Sequence, residues 1–351
     1  MMRTAVLAAL VVALAGCQAN RYQPGTPQYY QLRETAFECL RRGIEYPELA
    51  SVRIHAVESL RHAAPQRGMG WIRVALTDQH AGVRFAACVA LGSLEDHDSR
   101  RALERRLSDA DRSVQVAAVF ALHRLGDTGY THLIPNYLLD DDDPHVRANT
   151  ALVLGRMDEP AAVKLLARVM ARESDEAVRL QTLESLTLLG NREAMQELVI
   201  LAQSDGDRAM YAITALGELR DQRFEALFRQ KVAGAIHRET KLAASRALGY
   251  LGSDYGLSTA LKELNYSGFA AGSDVDPAWN QRNRIRQLAA LALGAIGDLR
   301  ALPGLAERMT GVEDPRVQVA AGRAILEIIR ADQARAMPFK LRAGPVGDRT
   351  R

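Results

Sequence analysis

The chain has 351 residues, and its 45 basic residues are nearly balanced by 42 acidic ones. This balance excludes a global electrostatic field that would attract nucleic acid or an anionic lipid surface. The length exceeds that of a usual single domain, unless the chain is a repeat array, which grows without a larger core.

Residues 1–16 have the features of a secretory signal peptide. Arg3 precedes ten apolar residues, from Ala5 to Leu14. Ten helical residues rise only about 15 Å, half the thickness of a bilayer core, so this segment is too short to span a membrane.

The sequence LAGC that ends at Cys17 resembles the lipobox of bacterial lipoproteins. This resemblance implies cleavage before Cys17, lipidation of Cys17, and anchoring to a membrane leaflet; an ordinary secretory signal with an incidental cysteine is the alternative. Gln18 in place of aspartate implies, for a Gram-negative lipoprotein, the outer membrane facing the periplasm. The polar residues 17–29 are predicted to be a flexible tether.

The two other cysteines, Cys39 and Cys88, have neither CxxC nor zinc-site spacing. We predict that both are small buried side chains in helices. A disulfide between them in an oxidising compartment is the alternative.

The central part of the chain repeats with a period of about 31 residues. If the first residue of each copy is position 0, apolar or small residues occupy positions 0, +4, +8 and +11, which is the spacing of one helix face. Glycine recurs at position +12, where it would end that helix. The nine copies start at Val52, Val83, Val114, Val146, Val178, Arg208, Thr240, Ile285 and Val317.

A second amphipathic stretch lies between successive copies, as in PAAVKLLARVMA of residues 160–171. Each unit is therefore predicted to be a helical hairpin. One hairpin cannot bury its own apolar face, but stacked neighbours can. The predicted fold class is all-α, an α-solenoid of about nine hairpins that offers a long, curved surface.

The repeats over residues 30–332 resemble HEAT-like repeats, in the short bacterial form also found in phycobilin-lyase subunits. The resemblance leaves function open, because that fold serves many tasks. The resemblance implies a ladder of side-chain contacts that joins successive repeats. In this ladder, the carboxylates five residues before a copy start bind the side chains one residue after a copy start. The carboxylates are Asp78, Asp109, Asp141 and Glu173. The basic residues are Arg53, Arg84, Arg147, Arg179, Lys241 and Arg286, and Gln115 and Gln318 interrupt the row.

Four consecutive aspartates, Asp140 to Asp143, raise the question of a cation site. Asp143 stands three residues before a copy start and is predicted to be a helix N-cap, with Pro144 as the first helical residue. The same offset predicts N-caps at Asp111, Asp175, Asp205 and Asp314. The run lacks the glycine and glutamate of an EF-hand loop, so we predict no metal site.

Motifs for catalysis are absent from the sequence. The eight histidines are scattered, and no HExxH, P-loop, GxGxxG or GxSxG sequence occurs. The His-Glu dipeptides of HEAT-type di-iron hydroxylases are also missing. We predict no catalytic residue, metal or cofactor, and thus a protein that is not an enzyme.

The period breaks between Thr240 and Ile285, which are 45 residues apart. The extra residues, 265–284, form an insertion, and long insertions in solenoids often lie on the binding face. Aromatic residues and arginines are the types that anchor interfaces. The alternative is that the aromatics only pin the loop to its own repeat. The candidate partner-binding residues are Tyr266, Phe269, Trp279, Arg282, Arg284 and Arg286.

The second helix of each hairpin is predicted to line the concave surface. A row of arginines there could bind an acidic partner, unless those arginines are already bound to carboxylates of the ladder. The basic tail, residues 333–351, is predicted to be frayed. We predict a membrane-anchored, non-enzymatic HEAT-repeat scaffold that binds an envelope protein or peptide and no nucleic acid. A lyase or lyase-like chaperone of cofactor attachment, implied by the resemblance alone, and a structural spacer are the alternatives.

Overall fold

The computed structural model describes residues 21–268 and 278–336. Within these ranges it contains eighteen α-helices, four short 3-10 turns and no β-strand, which confirms the predicted all-α class. Cys17, Phe269 and residues 337–351 lie outside the described residues. None of the described helices is long and apolar enough to cross a bilayer.

The helices form nine hairpins, each with one outer and one inner helix. The outer helices are α1 (Pro27–Ile44), α3 (Pro65–Ala75), α5 (Arg100–Arg106), α7 (Ile134–Leu139), α9 (Pro160–Met170), α11 (Arg192–Gln203), α13 (Glu225–Gly234), α15 (Leu257–Leu264) and α17 (Leu302–Thr310). The inner helices are α2 (Ala50–Ala63), α4 (Ala81–Ser93), α6 (Arg112–Arg124), α8 (Pro144–Arg156), α10 (Glu176–Leu188), α12 (Asp207–Glu218), α14 (Arg238–Tyr250), α16 (Ala278–Ile296) and α18 (Pro315–Ala336). Each inner helix carries one copy of the repeat. Because α1 begins at Pro27, it overlaps the last three residues of the predicted tether.

The turn chemistry explains why the inner helices start where they do. Asp143 has extended backbone geometry, and its carboxylate accepts a hydrogen bond from the N–H of His145 at 2.9 Å. Asp111, Asp175 and Asp314 cap their helices in the same way. Four aspartates therefore start helices by satisfying free backbone donors. No group of three or more potential metal ligands occurs among the described residues.

The arginine ladder is present at four of the six predicted basic positions. Arg179 donates to the backbone carbonyls of Met170 and Glu173 and, among the described residues, to no carboxylate. Arg147 donates two hydrogen bonds to the carboxylate of Glu173 in the next repeat, at 2.7 and 3.0 Å, and a third to the carbonyl of Asp141 in its own turn. Each such guanidinium therefore joins two repeats through paired, charge-assisted bonds. The same arrangement joins Arg53 to Asp78, Arg84 to Asp109 and Arg286 to Glu313.

The array closes into a ring, a feature that the repeat pattern did not predict. Helix α18 packs against α16 on one side and against α1 and α2 on the other. The hydroxyl of Tyr29 in α1 donates to Asp332 of α18 at 2.8 Å, and both Tyr29 and Ile329 are buried. An open solenoid needs a polar outer face on its terminal repeats, whereas these terminal repeats cover each other.

Position +9 of the repeat sets how closely neighbouring inner helices approach. A Cβ on Gly92 would lie 2.6 Å from the Cα of Ala121 in the next inner helix, and a Cβ on Gly294 would lie 2.9 Å from the Cα of Ala324. Backbones can be this close only because no side chain intervenes. The five junctions with the closest backbones are those with glycine at +9, namely Gly92, Gly155, Gly217, Gly249 and Gly294.

The junction between α10 and α12 shows the opposite case. Position +9 is Thr187 there, and the two backbones are farther apart than in any other neighbouring pair of inner helices. Side chains bridge the gap instead. The hydroxyl of Tyr211 donates to Glu184, and Arg208 pairs with Glu176 at 2.5 Å.

Candidate functional site

The structure separates the six residues that the sequence analysis selected in the insertion. Phe269 lies outside the described residues. Arg286 is a ladder residue, with its guanidinium 2.8 Å from Glu313 and 3.0 Å from the carbonyl of Tyr266. Arg284 binds Glu239 of the previous inner helix at 3.2 Å. These two arginines therefore hold repeats together.

Tyr266 and Arg282 are also partly enclosed. The ring of Tyr266 lies under the guanidinium of Arg238, with 4.7 Å from the guanidinium carbon to the ring centroid. The Nε of Arg282 is buried and has no hydrogen-bond partner among residues 21–268 and 278–336. Trp279 differs, because 52% of its surface is exposed. Among the described residues, it does not pack against the hydrophobic core.

The insertion lengthens α16 at its N-terminal end. Helix α16 begins at Ala278, seven residues before its repeat starts at Ile285, whereas α14 and α18 each begin two residues before theirs. Five additional helical residues rise about 7 Å, so Trp279 projects beyond the edge of the ring. Asn283 braces this extension by donating to Asp314 at 3.0 Å.

Trp279 belongs to a set of exposed apolar side chains that we call the apolar rim. Its members lie at the hairpin turns of four repeats that are consecutive around the closed ring. They are Leu49, Ile236, Trp279 and Val312, with exposed fractions of 39%, 85%, 52% and 107%. The corresponding turns of the second to sixth repeats, all within residues 21–268, expose no large apolar side chain. Carboxylates occur at turns of both groups, as with Asp141 and Glu313, so the exposed apolar side chains are what distinguish the rim.

Asp205 supports the apolar rim, which the sequence analysis did not foresee. The N-cap of α12 is Gly206, so the prediction of an N-cap at Asp205 is wrong. Its carboxylate instead accepts hydrogen bonds from the N–H groups of Ile236 and His237 in the next repeat, at 2.5 and 3.3 Å. Burial alone would raise the pKa of Asp205, but these bonds and one from Gly206 outweigh it and hold the pKa well below its usual range.

Replacing Asp205 with asparagine is expected to destabilise the ring by about 1–2 kcal/mol at pH 7, since one acceptor oxygen and the charge are lost. Because the folded-state pKa is lowered, this stabilisation is present above about pH 4 and is lost as the pH falls. Urea unfolding at pH 7 and pH 3 measures the difference. Asp143→Asn is the control, because asparagine caps helices as well as aspartate does. A deficit for Asp205→Asn that stays the same at pH 3 would contradict this account.

A second feature is the cavity at the centre of the ring, with a volume of about 890 Å³. All nine inner helices line it through position +10 of the repeat. It lies toward the C-terminal ends of these helices, whereas the apolar rim lies at their N-terminal ends. Seven arginines line what we call the arginine cavity, namely Arg61, Arg124, Arg156, Arg220, Arg246, Arg323 and Arg330.

The sequence carried a signal for the arginine cavity that the sequence analysis missed. Positions 0, +4, +8 and +11 define the buried face, and position +10 lies beside it on the side that faces the ring centre. Charged residues at this position include Arg124, Arg156, Glu218 and Glu327. They are not ladder residues, so the ladder does not account for every arginine of the inner helices.

Comparison with known families supports the repeat assignment. Residues 47–123, 102–187 and 131–217 match the family model of HEAT repeats, and residues 285–310 match the model of PBS lyase HEAT-like repeats. The HEAT matches run from the inner helix of the first hairpin to the sixth hairpin, and the second model covers the inner helix of the eighth hairpin and the outer helix of the ninth. No curated protein gives a match to this sequence.

Two solved structures with similar helical arrays have low identity to the chain. A chain of the CpcE–CpcF complex of phycocyanin lyase from Nostoc is 20% identical with a TM-score of 0.41, and the alignment covers 64% of this chain and 91% of that chain. Human deoxyhypusine hydroxylase is 15% identical with a TM-score of 0.37, and the coverage is 87% and 100%. These likenesses carry no argument about function. The repeat pattern, the ladder and the matched family models together show that the chain is a HEAT-like repeat protein.

Proposed function

We propose that this protein is a lipid-anchored, non-enzymatic HEAT-repeat scaffold of the bacterial outer membrane, facing the periplasm. Its partner is an envelope protein or peptide that binds the apolar rim. The lipobox at Cys17 supports the anchoring. A tether at the same membrane raises the effective concentration of the partner.

The apolar rim is the observation that carries the proposal. Four consecutive repeats each expose one large apolar side chain at the same edge, and Trp279 projects beyond it. Apolar side chains grouped on an otherwise polar surface mark interaction sites, and tryptophan is among the residues that contribute most to binding. The hydrogen bonds made by Asp205 and Asn283 fix two of these turns before a partner binds. This order reduces the entropy lost on binding.

The test is crosslinking in the native envelope followed by purification of the tagged full chain. The rim variant Ile236→Ser/Trp279→Ala/Val312→Ser is expected to lose a partner that the wild type captures. The matched control is Val74→Ser/Ile200→Ser, since these side chains are 60% and 66% exposed but lie on outer helices away from the rim. The control is expected to retain the partner.

Equal capture of the partner by wild type and rim variant would contradict binding at the apolar rim, and recovery of no partner by either would contradict the scaffold function and favour a structural spacer. The anchoring has a separate test, in which Cys17→Ser is expected to move the protein from the membrane fraction to the soluble fraction. Retention of that variant in the membrane would contradict the lipid anchor.

A lyase or lyase-like chaperone of cofactor attachment is the second candidate. The match of residues 285–310 to PBS lyase HEAT-like repeats favours it, and the central cavity has a volume within the usual range for small-molecule sites. This candidate predicts a bound chromophore or cofactor in protein purified from its native host. A colourless protein without a bound small molecule in native mass spectrometry would contradict it.

A further inference from the structure

The arginine cavity holds much more positive than negative charge. Seven arginines and two glutamates, Glu218 and Glu327, line it, a formal excess of five positive charges. The whole chain has a net charge of +3, so positive charge is concentrated at the centre of the ring. A cavity lined by charge of one sign focuses the field and attracts ions of the opposite sign.

Most of these guanidiniums have no counter-ion among the residues that the structure describes. Arg124 pairs with Glu95 and Arg323 pairs with Glu327. Among the described residues, no carboxylate lies within salt-bridge distance of Arg61, Arg156, Arg220, Arg246 or Arg330. Arg246 donates its Nε to the hydroxyl of Tyr250, and Arg330 donates to the carbonyl of His62. Their remaining N–H groups can bind a ligand.

The guanidiniums also repel one another across the cavity. Burial and the nearby charge of Arg156 lower the pKa of Arg61 to about 10. Burial and the charges of Arg61, Arg323 and Arg246 hold the pKa of His62 well below its usual range. Uncompensated positive charge therefore acts on the same space from several helices, and a bound anion would relieve it.

Neutralisation of helix ends does not explain the whole set. The C-terminus of each inner helix carries about half a negative charge, and arginines in the last turn offset it. Arg61, Arg124 and Arg156 lie in last turns. Arg246 precedes the last turn of α14, and Arg323 lies in the middle of α18. The dipole effect falls off within one turn. The pair with Glu327 accounts for Arg323, so Arg246 needs another explanation.

The positions of Arg61, Arg156 and Arg246 around the ring point to a central ligand. They lie on the first, fourth and seventh of the nine inner helices, one third of the ring apart. We propose that the arginine cavity binds a small multivalent anion with phosphate or carboxylate groups, held by these three guanidiniums. Guanidinium groups bind such oxygens through paired, charge-assisted hydrogen bonds. This site is separate from the apolar rim, so it goes beyond the proposed scaffold function.

Isothermal titration of the purified full chain, at an ionic strength of about 0.1 M, where the Debye length is about 10 Å, tests the proposal with sodium tripolyphosphate and sodium citrate. The first probe reports phosphate recognition and the second reports carboxylate recognition. At least one is expected to bind the wild type. The cavity variant Arg61→Gln/Arg156→Gln/Arg246→Gln is expected to bind at least ~100-fold more weakly, because each lost charge-assisted bond weakens binding about tenfold or more.

The matched control removes the same charge from the outside of the ring. Arg101, Arg105 and Arg192 are exposed residues of outer helices, and Arg101→Gln/Arg105→Gln/Arg192→Gln is expected to bind within about threefold of wild type since surface charges are screened. As a second measurement, the Tm of the wild type is expected to rise with the bound probe above its value in sodium chloride of equal ionic strength. Failure of both probes to bind the wild type, or an equal loss of binding in both triple variants, would overturn the proposal.

Discussion

Replacing Gly92 with alanine is expected to destabilise the ring by about 2–3 kcal/mol. The new Cβ would lie 2.6 Å from the Cα of Ala121 and 3.0 Å from its Cβ. A side chain can rotate away from such a contact, but a backbone atom of a packed helix cannot. Inserting an extra carbon into a well-packed interior typically costs about 1–3 kcal/mol. The upper part of this range applies because the neighbouring helix is held in a closed ring.

Gly70 provides the matched control, because it also lies in a helix but a Cβ there would meet no atom within 4 Å. Gly70→Ala is expected to stabilise the protein by about 0.5–1 kcal/mol, since alanine favours the helix over the unfolded chain. Urea unfolding of both variants gives the comparison. Changes of the same sign in the free energy of unfolding of the two variants would show that position +9 does not set the spacing of the inner helices.

The sequence predicted those features that depend on fixed positions within one repeat. The helical hairpins follow from the spacing of apolar residues, the start of α8 follows from Asp143 and Pro144, and the ladder follows from a constant offset between carboxylate and arginine. Each involves residues of one repeat or of two successive repeats, so the local pattern contains the information. Asp205 is the exception, because a glycine beside it takes the N-cap and leaves its carboxylate for the next repeat.

Closure of the ring could not be predicted in this way. It depends on small differences in geometry that add up over all nine junctions between inner helices, and no single repeat contains their sum. One signal was present, since Val317 to Ile329 of α18 is apolar on nearly all sides and such a helix is buried all round. The arginine cavity was missed because its residues belong to distant repeats and come together only in the closed ring.

A disulfide across the closure provides the most direct test of the ring in solution. Cys39 of α1 lies against α18, and a Cβ placed on Gly322 would lie 3.6 Å from the Cβ of Cys39. Disulfides need a Cβ–Cβ distance of about 3.5–4.5 Å. Gly322→Cys is therefore expected to form a bridge with Cys39 within one chain. In the chain-entropy model, a bridge that closes so long a loop stabilises the protein by roughly 5 kcal/mol.

The reaction conditions follow from the burial of the thiols. Burial raises the pKa of Cys39 to about 11, so little thiolate exists at neutral pH and catalysed oxidation at pH 9 is preferred. Cys88 is buried and free, and burial raises its pKa to about 12, so it remains as an unreacted internal reference. Non-reducing electrophoresis and thiol titration report the bridge, and Gly322→Ser controls for the added side chain.

The expected result separates a ring from an open arc, because the two arrangements give different products. In the ring, Cys39 and the new cysteine are neighbours in every molecule, so the bridge forms at any protein concentration. In an open arc, α1 and α18 are at opposite ends of nine repeats, so crosslinks would join different molecules and increase with concentration. Concentration-dependent dimers without the internal bridge would show that the array is open in solution. The arginine cavity would then be an exposed concave surface, and its arginines would no longer face one another across an enclosed space.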